Sequence, residues 1–502
     1  MQTEKFVVNY GHVLRNAVLN LVGRILPALV AVIAIPIMIR GMGTESYGVL
    51  SLALVIVTYF SLFDLGMGEA TTKFIAEALG KGDIEHISDL IWTSTALIAG
   101  LGATGGLFMY FVSPFLVSHL LNISPAAQPE ALSAFQIMAT AVPFLLLAAG
   151  LRGALEARQR YDLVNAVTVP STVASYLLPV VAILLKQGLD VIIMYLVISR
   201  VLTCLGFLIE CLWIYPSMHD SFSIDRRLVR PLLHFGGWLA ISNMSWPILL
   251  YLDRVLISSM LSVADLPFYA APCDLITKLW VFPASWMALY PAFSAIGRSM
   301  ESEIADLCAL GLKHLALLLG PIVIVCVILA GPILKRWLGQ TFEQHSSLAF
   351  QILALGVFLN SLGTIPDRLI KGLGHPHIVA KLHVSELPLY FCLLYLLIHY
   401  YGITGAAMAW TFRSGVEAII MFCIADRLVP AGRTAVKKAG GIRVLVFICA
   451  FAGSAVTAFL LFHGLRLLIF GCAVLLIFGG TLWKIVLNQS ERQWILAAAR
   501  IR

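Results

Sequence analysis

Charge is what this sequence has least of. Only 12% of its 502 residues are Asp, Glu, Lys or Arg, while 60% are hydrophobic. Soluble domains carry about 25% charged residues, so a soluble globular protein is excluded. Mean hydropathy is correspondingly high, at +0.92. The nine cysteines are odd in number and lie in apolar runs or at their edges, as Cys204, Cys326 and Cys449 do. That placement implies no disulfide framework. The chain also lacks HExxH, GxSxG, a Walker A loop, an acidic DxD pair and any metal-ligand cluster. No cofactor and no metal is implied, and without an ATP site any energy comes from ion or lipid gradients or a coupled pathway. His375 and His377 in LGHPH have ligand-like spacing, but the setting reads as a solvated turn. Hydrophilic segments reach only about a dozen residues, too short for a soluble domain.

What the sequence has instead is apolar runs of membrane-crossing length, about 20 residues each. Fourteen are expected: 16–39, 46–64, 88–117, 131–150, 163–185, 190–214, 231–252, 266–292, 310–333, 346–366, 378–400, 404–425, 442–462 and 465–485. Turn chemistry separates them, as in KGD at 81–83, SPAAQP at 124–129 and VPAGR at 429–433. The first run is too long for a signal-peptide core and ends in Arg40 rather than a cleavage site, so it should remain as a helix.

The formal net charge of +7 would suggest nucleic acid in a soluble protein. Here the basic residues fall on alternate connections. One set holds Lys73, Lys81, Arg152, Arg158, Arg160, Arg226, Arg227, Arg230, Arg368, Lys371, Arg427, Arg433, Lys437, Lys438 and Arg443. The other has little beyond Arg40, Lys186, Lys335, Arg336 and Arg466. The positive-inside rule puts the first set, and both termini, in the cytoplasm. The charge is a topology signal, and no nucleic-acid partner is implied.

A repeat underlies the spans. ALEARQRYDLVNAV at 154–167 lies on LIKGLGHPHIVAKL at 369–382, an offset of 215 residues. GLDVIIMYLVISR at 188–200 lies on GITGAAMAWTFRS at 402–414, an offset of 214. Gly188 matches Gly402, Met194 matches Met408, and Arg200 and Arg413 fall mid-helix one position out of register. A near-constant offset over two segments marks an internal repeat. It spans six helices, an even number, so both copies insert the same way up and the pseudo-symmetry axis runs along the membrane normal. The expected division is an N-lobe at 1–215, a C-lobe at 216–430, and extra helices with a tail at 431–502.

Charges inside the spans are the candidate functional residues. In NAVLNLVGRILPALVAVIAIPIMIR at 16–40, Asn16, Asn20 and Arg24 recur every four residues and share a helix face. A mid-bilayer arginine costs roughly 2.5–3.5 kcal/mol on the insertion scale, so Arg24 must face protein or water. On the seventh run Asn243 and Arg254 share a face beside Pro247, as Asn20 and Arg24 do beside Pro27. Arg200 and Glu386 have no partner on their own helix, whereas Asp274–Lys278 and Arg413–Glu417 have the i, i+4 spacing of self-neutralising pairs. Asp253 and Arg254 point about 100° apart, at a place where a span end would let them snorkel. A water-filled cavity lined by cations and amides suits an anion with hydroxyls: the guanidinium fork for phosphate, the amides for sugar. The candidate substrate-binding residues are Arg24, Asn20, Arg254, Lys278, Asn243, Arg200 and Arg413. The candidate gating or coupling residues are Lys73, Asp64, Asp253 and Asp274. Lys73 stands with Glu69 and Glu77 at i, i+4 spacing, either an ion-paired solvated face or a cytoplasmic gate.

RGMGTESYGVLSLAL at 40–54, FDLGMGEATTKFIAE at 63–77, YLDRVLISSML at 251–261 and GLGHPHIVAKLHVSELPLYFCLLYLLIHYYGITGAAMAW at 372–410 carry a family likeness. With them the chain resembles the bacterial polysaccharide-export flippases of the multidrug/oligosaccharidyl-lipid/polysaccharide superfamily. The resemblance implies an all-α polytopic fold with two pseudo-symmetric six-helix lobes in a V, and alternating access. It implies an undecaprenyl-pyrophosphate-linked oligosaccharide as cargo, moved from the inner to the outer leaflet of a bacterial inner membrane. Membrane lipids and polysaccharide polymerase or assembly proteins are the candidate partners. The fourteen-helix count resembles the lipid II flippase branch, whose extra pair helps form a groove for the lipid tail. Rival readings are a lipid II flippase, a cation-coupled drug or metabolite antiporter of the same fold, and a membrane glycosyltransferase such as an O-antigen polymerase or ligase. The antiporter would place acids in the cavity where the first lobe has Arg24. The enzyme would need a charged outward loop, and SHLLNISPAAQPE at 118–130 and HYYGITG at 399–405 are nearly uncharged.

Overall fold

The computed structural model describes residues 10–60, 66–81, 83, 86–219, 223–243, 245–285, 301–430, 450, 477 and 480–481. Of these, side chains are described except at 10–24, 60, 238–243, 245–246, 284–285, 301–304 and 307. Spans expected at 442–462 and 465–485 lie almost wholly outside the described residues.

Among the described residues the chain is helical, with no strand. The first half holds α1 (Tyr10–Phe60), α2 (Met67–Lys81), α3 (Ile87–Phe115), α4 (Gln128–Ala139), α5 (Ala141–Ala157), α6 (Tyr161–Leu184) and α7 (Leu189–Ile214). There follow α8 (Arg226–Asn243), α9 (Ser245–Met260), α10 (Leu266–Thr277), α11 (Val281–Ser285), α12 (Glu301–Ile328), α13 (Ala330–Leu338), α14 (Gln340–Gly372) and α15 (Pro376–Leu428). Among the described residues, eight helical stretches are long and apolar enough to cross a membrane: Ile25–Tyr59, Ile87–Leu120, Gln128–Ala157, Tyr161–Leu184, Leu189–Ile214, Cys308–Ile328, Gln340–Gly372 and Pro376–Leu428. This is an all-α, multi-pass membrane protein.

Two of these stretches are broken by glycines. Gly43 sits at φ 81°, ψ 171° inside α1, and Gly402 at φ 57°, ψ −135° inside α15. Neither conformation is helical, and a positive φ is cheap only without a Cβ. The breaks fall where the sequence separates spans 16–39 from 46–64 and 378–400 from 404–425.

The repeat has a backbone counterpart. α5 ends in a turn whose Gln159 has φ 58°, and α14 ends in one whose Gly374 has φ 84°. Around Gln159, the N–H of Arg160 donates to the Leu155 carbonyl (3.1 Å) and that of Gln159 to Glu156 (2.9 Å). Around Gly374, the N–H of His375 donates to Ile370 (3.1 Å) and that of Gly374 to Lys371 (3.1 Å). Both are Schellman caps, which satisfy the last carbonyls of a helix with a left-handed residue just past its end. All four residues of the first cap map onto the second at the 215-residue offset read from sequence.

The chain forms two compact units, one of residues 1–271 and 383–406, the other of 272–382 and 407–502. In the first, small residues let helices approach closely. Gly102 and Gly106 of α3 leave no room for a Cβ against Pro143 and the Ala139 carbonyl, and Gly153 of α5 none against the Gly68 carbonyl of α2. Thr72 uses that approach to donate to the Gly153 carbonyl at 3.0 Å. In membranes, where lipid is as apolar as Leu, such close packing and hydrogen bonding drive helix association. The core beneath includes Ile75, Ile87, Ile91, Leu151, Leu155 and Phe207. Tyr215 ties α7 to α5 by donating to the Ala154 carbonyl at 2.8 Å.

In the second unit, Gly356 of α14 lies against the ring of Trp410 and the hydroxyl of Thr411. Thr411 donates to the Ile352 carbonyl at 2.9 Å, and Gln351 to the Val327 carbonyl at 2.8 Å. Leu315, Leu319 and Ile365 bury themselves between α12 and α14.

Candidate functional site

The side chains of Arg24, Asn20 and Asn243 and the whole of Asp64 lie outside what the structure describes. The helix carrying the first two, α1, is in place.

Arg200 sits at the middle of α7. It lies on the same face as Ile193, Leu196 and Phe207, all buried, while Ile198, Leu202 and Leu205 on the other face are exposed. Thus the guanidinium is directed into the bundle, toward α6. There it donates to the Ser175 hydroxyl at 3.2 Å. One turn away Thr203 donates to the Ser171 hydroxyl at 2.6 Å. The result is a patch of one guanidinium and three hydroxyls between two mainly apolar helices. No carboxylate forms an ion pair with Arg200 among the described residues, and an arginine has five N–H donors.

Arg413, the repeat counterpart, differs. Its guanidinium bonds Glu417 of its own helix at 3.0 Å, with the two side chains 6% and 11% exposed. Sequence spacing anticipated this pair. Arg200 has Cys204 where Arg413 has Glu417, so only Arg200 keeps an uncompensated charge on its own helix.

Asp253 and Arg254 are not at an exposed span end. They are 1% and 8% exposed within the first unit. Tyr269 of α10 donates its hydroxyl to the Asp253 carboxylate, whose other oxygen accepts the Arg254 backbone N–H at 2.7 Å. The Arg254 guanidinium lies 5.3 Å from the centre of the Tyr251 ring, and Tyr251 meets Tyr59 of α1 edge to face at 6.5 Å. A carboxylate, a guanidinium and three tyrosines therefore form one buried cluster. Neighbouring tyrosines carry no charge, which is why the sequence alone did not point to them.

Asp274 and Lys278 are half-buried in the second unit, where α10 tightens into a 3₁₀ turn at Lys278–Trp280. Lys313 on α12, beside His314 and not among the candidates named from sequence, is only 4% exposed.

Lys73 carries an ion pair on its own helix and an aromatic contact on another. It pairs with Glu77 at 3.4 Å, both side chains more than 40% exposed. Its ammonium also lies 4.2 Å from the centre of the Phe235 ring on α8, and Phe235 meets Phe74 edge to face. The group facing it from the start of the second repeat is an aromatic ring.

Residues 13–297 match the family described as polysaccharide biosynthesis protein. A putative O-antigen transporter of Shigella flexneri is 28% identical over 419 residues, 83% of this chain and 98% of that protein. Among solved structures, an inward-facing multidrug resistance MATE family transporter of the MOP superfamily has a TM-score of 0.69 at 16% identity, over 82% of this chain and 99% of that one. The lipid II flippase MurJ in an inward closed conformation has a TM-score of 0.67 at 13% identity, over 93% of this chain and 99% of that one. At such identities the structures establish a shared fold. These relatives are described as transporters and a flippase. With more than half of its length matched, the chain belongs to the polysaccharide biosynthesis protein family.

Proposed function

We propose that this chain is a flippase for a polyprenyl-pyrophosphate-linked oligosaccharide. It carries the glycan from the cytoplasmic to the outer leaflet of a bacterial inner membrane by alternating access, with both termini cytoplasmic. The product feeds O-antigen, capsule or exopolysaccharide assembly, with polymerase and assembly proteins as downstream partners. The observation that supports this most is Arg200 with its hydroxyls. An uncompensated guanidinium inside a membrane bundle costs free energy unless an anion or water meets it. A pyrophosphate offers planar oxygen pairs to the fork, and sugar hydroxyls match Ser171, Ser175 and Thr203.

Arg24 and Asn20 are the further substrate-binding candidates of the first repeat, and Arg254, Asn243 and Lys278 those of the second. Arg413 ranks behind them because Glu417 already balances its charge. Lys73, Asp64, Asp253 and Asp274 act in gating and coupling. Asp253 is the coupling candidate with the most built setting, a buried carboxylate that accepts the Tyr269 hydroxyl and the Arg254 backbone N–H.

The test is deletion and complementation, with the lipid-linked glycan followed across the membrane. Loss of the chain should trap the intermediate in the cytoplasmic leaflet and abolish surface polysaccharide, and the wild-type chain should restore it. Normal surface polysaccharide after deletion overturns the reading. Arrested peptidoglycan synthesis would assign lipid II instead, and drug sensitivity alone an antiporter.

A further inference from the structure

Three segments meet in the first unit: α1 just after its break at Gly43, the turn that follows α3, and the end of α9. Asn122, just past α3, uses three groups at once. Its backbone N–H donates to the Ser258 carbonyl at 2.9 Å, and its carbonyl accepts the Val263 N–H at 3.0 Å. Its side-chain amide donates to the Leu261 carbonyl. Ser258 and Leu261 belong to the last turn of α9 and the residue that follows it, whose carbonyls have no partner within the helix. Asn122 therefore caps a helix that is more than a hundred residues away in sequence.

Two neighbours tighten the junction. Gly48 of α1 touches Val263 so closely that a Cβ would overlap the Val263 carbonyl. Glu45 accepts the backbone N–H of Ser124 at 3.0 Å. Val263 itself is fully buried, at 0% exposure.

We propose that Asn122 is an outer latch, which ties the first repeat to the first helices of the second and must release for cargo to leave on the outer side. This rests on the flippase reading for what leaves and in which direction. The chemistry suits a reversible contact. Between the two repeats the junction is made by three hydrogen bonds and one glycine contact, with no ion pair across it among the described residues. Each hydrogen bond contributes little net, because water takes over the exposed groups. Such a junction holds one state without locking it.

The experiment joins Asn122→Cys to Val263→Cys. One direct N–H to O bond holds the two Cα atoms within about 7 Å, the outer limit for a disulfide. Under mild oxidant the full-length pair should cross-link in membranes and lose at least tenfold of its glycan export, and reductant should restore it. Wild type, with its native cysteines, is treated in parallel. Failure to cross-link, or cross-linked protein that exports at the reduced rate, overturns the latch.

A second measurement needs no export. Val263→Cys should resist a membrane-impermeant thiol reagent added outside whole cells, and Asn122→Ala added to it should raise labelling severalfold. Unchanged labelling also overturns the latch. If the reduced double variant and wild type both move no lipid-linked glycan, the flippase reading fails, while the labelling still decides the latch.

Discussion

At the scale of single residues, the arginines are sorted by what sits four positions away. Arg413 has Glu417 and Arg200 has Cys204, and this one difference makes a neutral pair of the first and an anion-seeking group of the second. Arg200→Ala should cut export about ten- to a hundredfold, the 1.5–3 kcal/mol of a lost charged hydrogen bond. Arg200→Lys should retain part of it, since the charge stays and the fork goes. Membrane level is measured alongside, and full export at normal level for Arg200→Ala would remove it from the substrate path. Lys73 allows a sharper comparison. If the Phe235 ring is its working partner, Lys73→Ala and Phe235→Leu should each slow export modestly, and the double variant should be no slower than the worse single. A cation over a ring at an exposed site contributes about 0.5–1 kcal/mol. Independent effects that multiply would leave Lys73 with its Glu77 pair alone.

At the scale of elements, the two Schellman caps at Gln159 and Gly374 invite a reciprocal exchange. A left-handed residue with a Cβ costs about 1–2 kcal/mol over glycine. Gln159→Gly should therefore raise the thermal midpoint of the purified protein and Gly374→Gln lower it, each by about 1 kcal/mol. Unfolding followed in detergent checks both signs. These turns were also where the sequence was most legible. The 215-residue offset came from loose similarity in cytoplasmic turns, and turns are local structures that a few residues specify. The helix breaks at Gly43 and Gly402 were legible for the same reason. The buried cluster of Asp253, Arg254, Tyr59, Tyr251 and Tyr269 was not, since α1, α9 and α10 are brought together only by tertiary packing. Nor was the Lys73–Phe235 contact: spacing reveals partners on one helix and is silent about those on another. The Asn122 junction was invisible for a further reason, because two of its three bonds are made by backbone groups that every residue carries.

At the scale of the whole molecule, the alternation of charge predicts which connections face the cytoplasm, and that sidedness is worth testing directly. Connections expected outside are poor in Lys and Arg, and the segment around Lys186 and Gln187 joins α6 to α7 with one lysine. The next connection runs through His219 to Arg226 and Arg227, where the basic residues gather. The bias arises because short basic loops are retained on the cytoplasmic side during insertion. A periplasm-active phosphatase fused after Gln187 should therefore be active, and one fused after His219 inactive, with a cytoplasm-active reporter giving the reverse. A fusion at the C-terminal Arg502 should behave as the His219 fusion does. The reverse pattern at 187 and 219 would turn the Asn122 junction to the cytoplasm, make it an inner latch rather than an outer one, and put Lys73 on the exit side. One set of fusions thus decides which end of the molecule receives the glycan and which releases it.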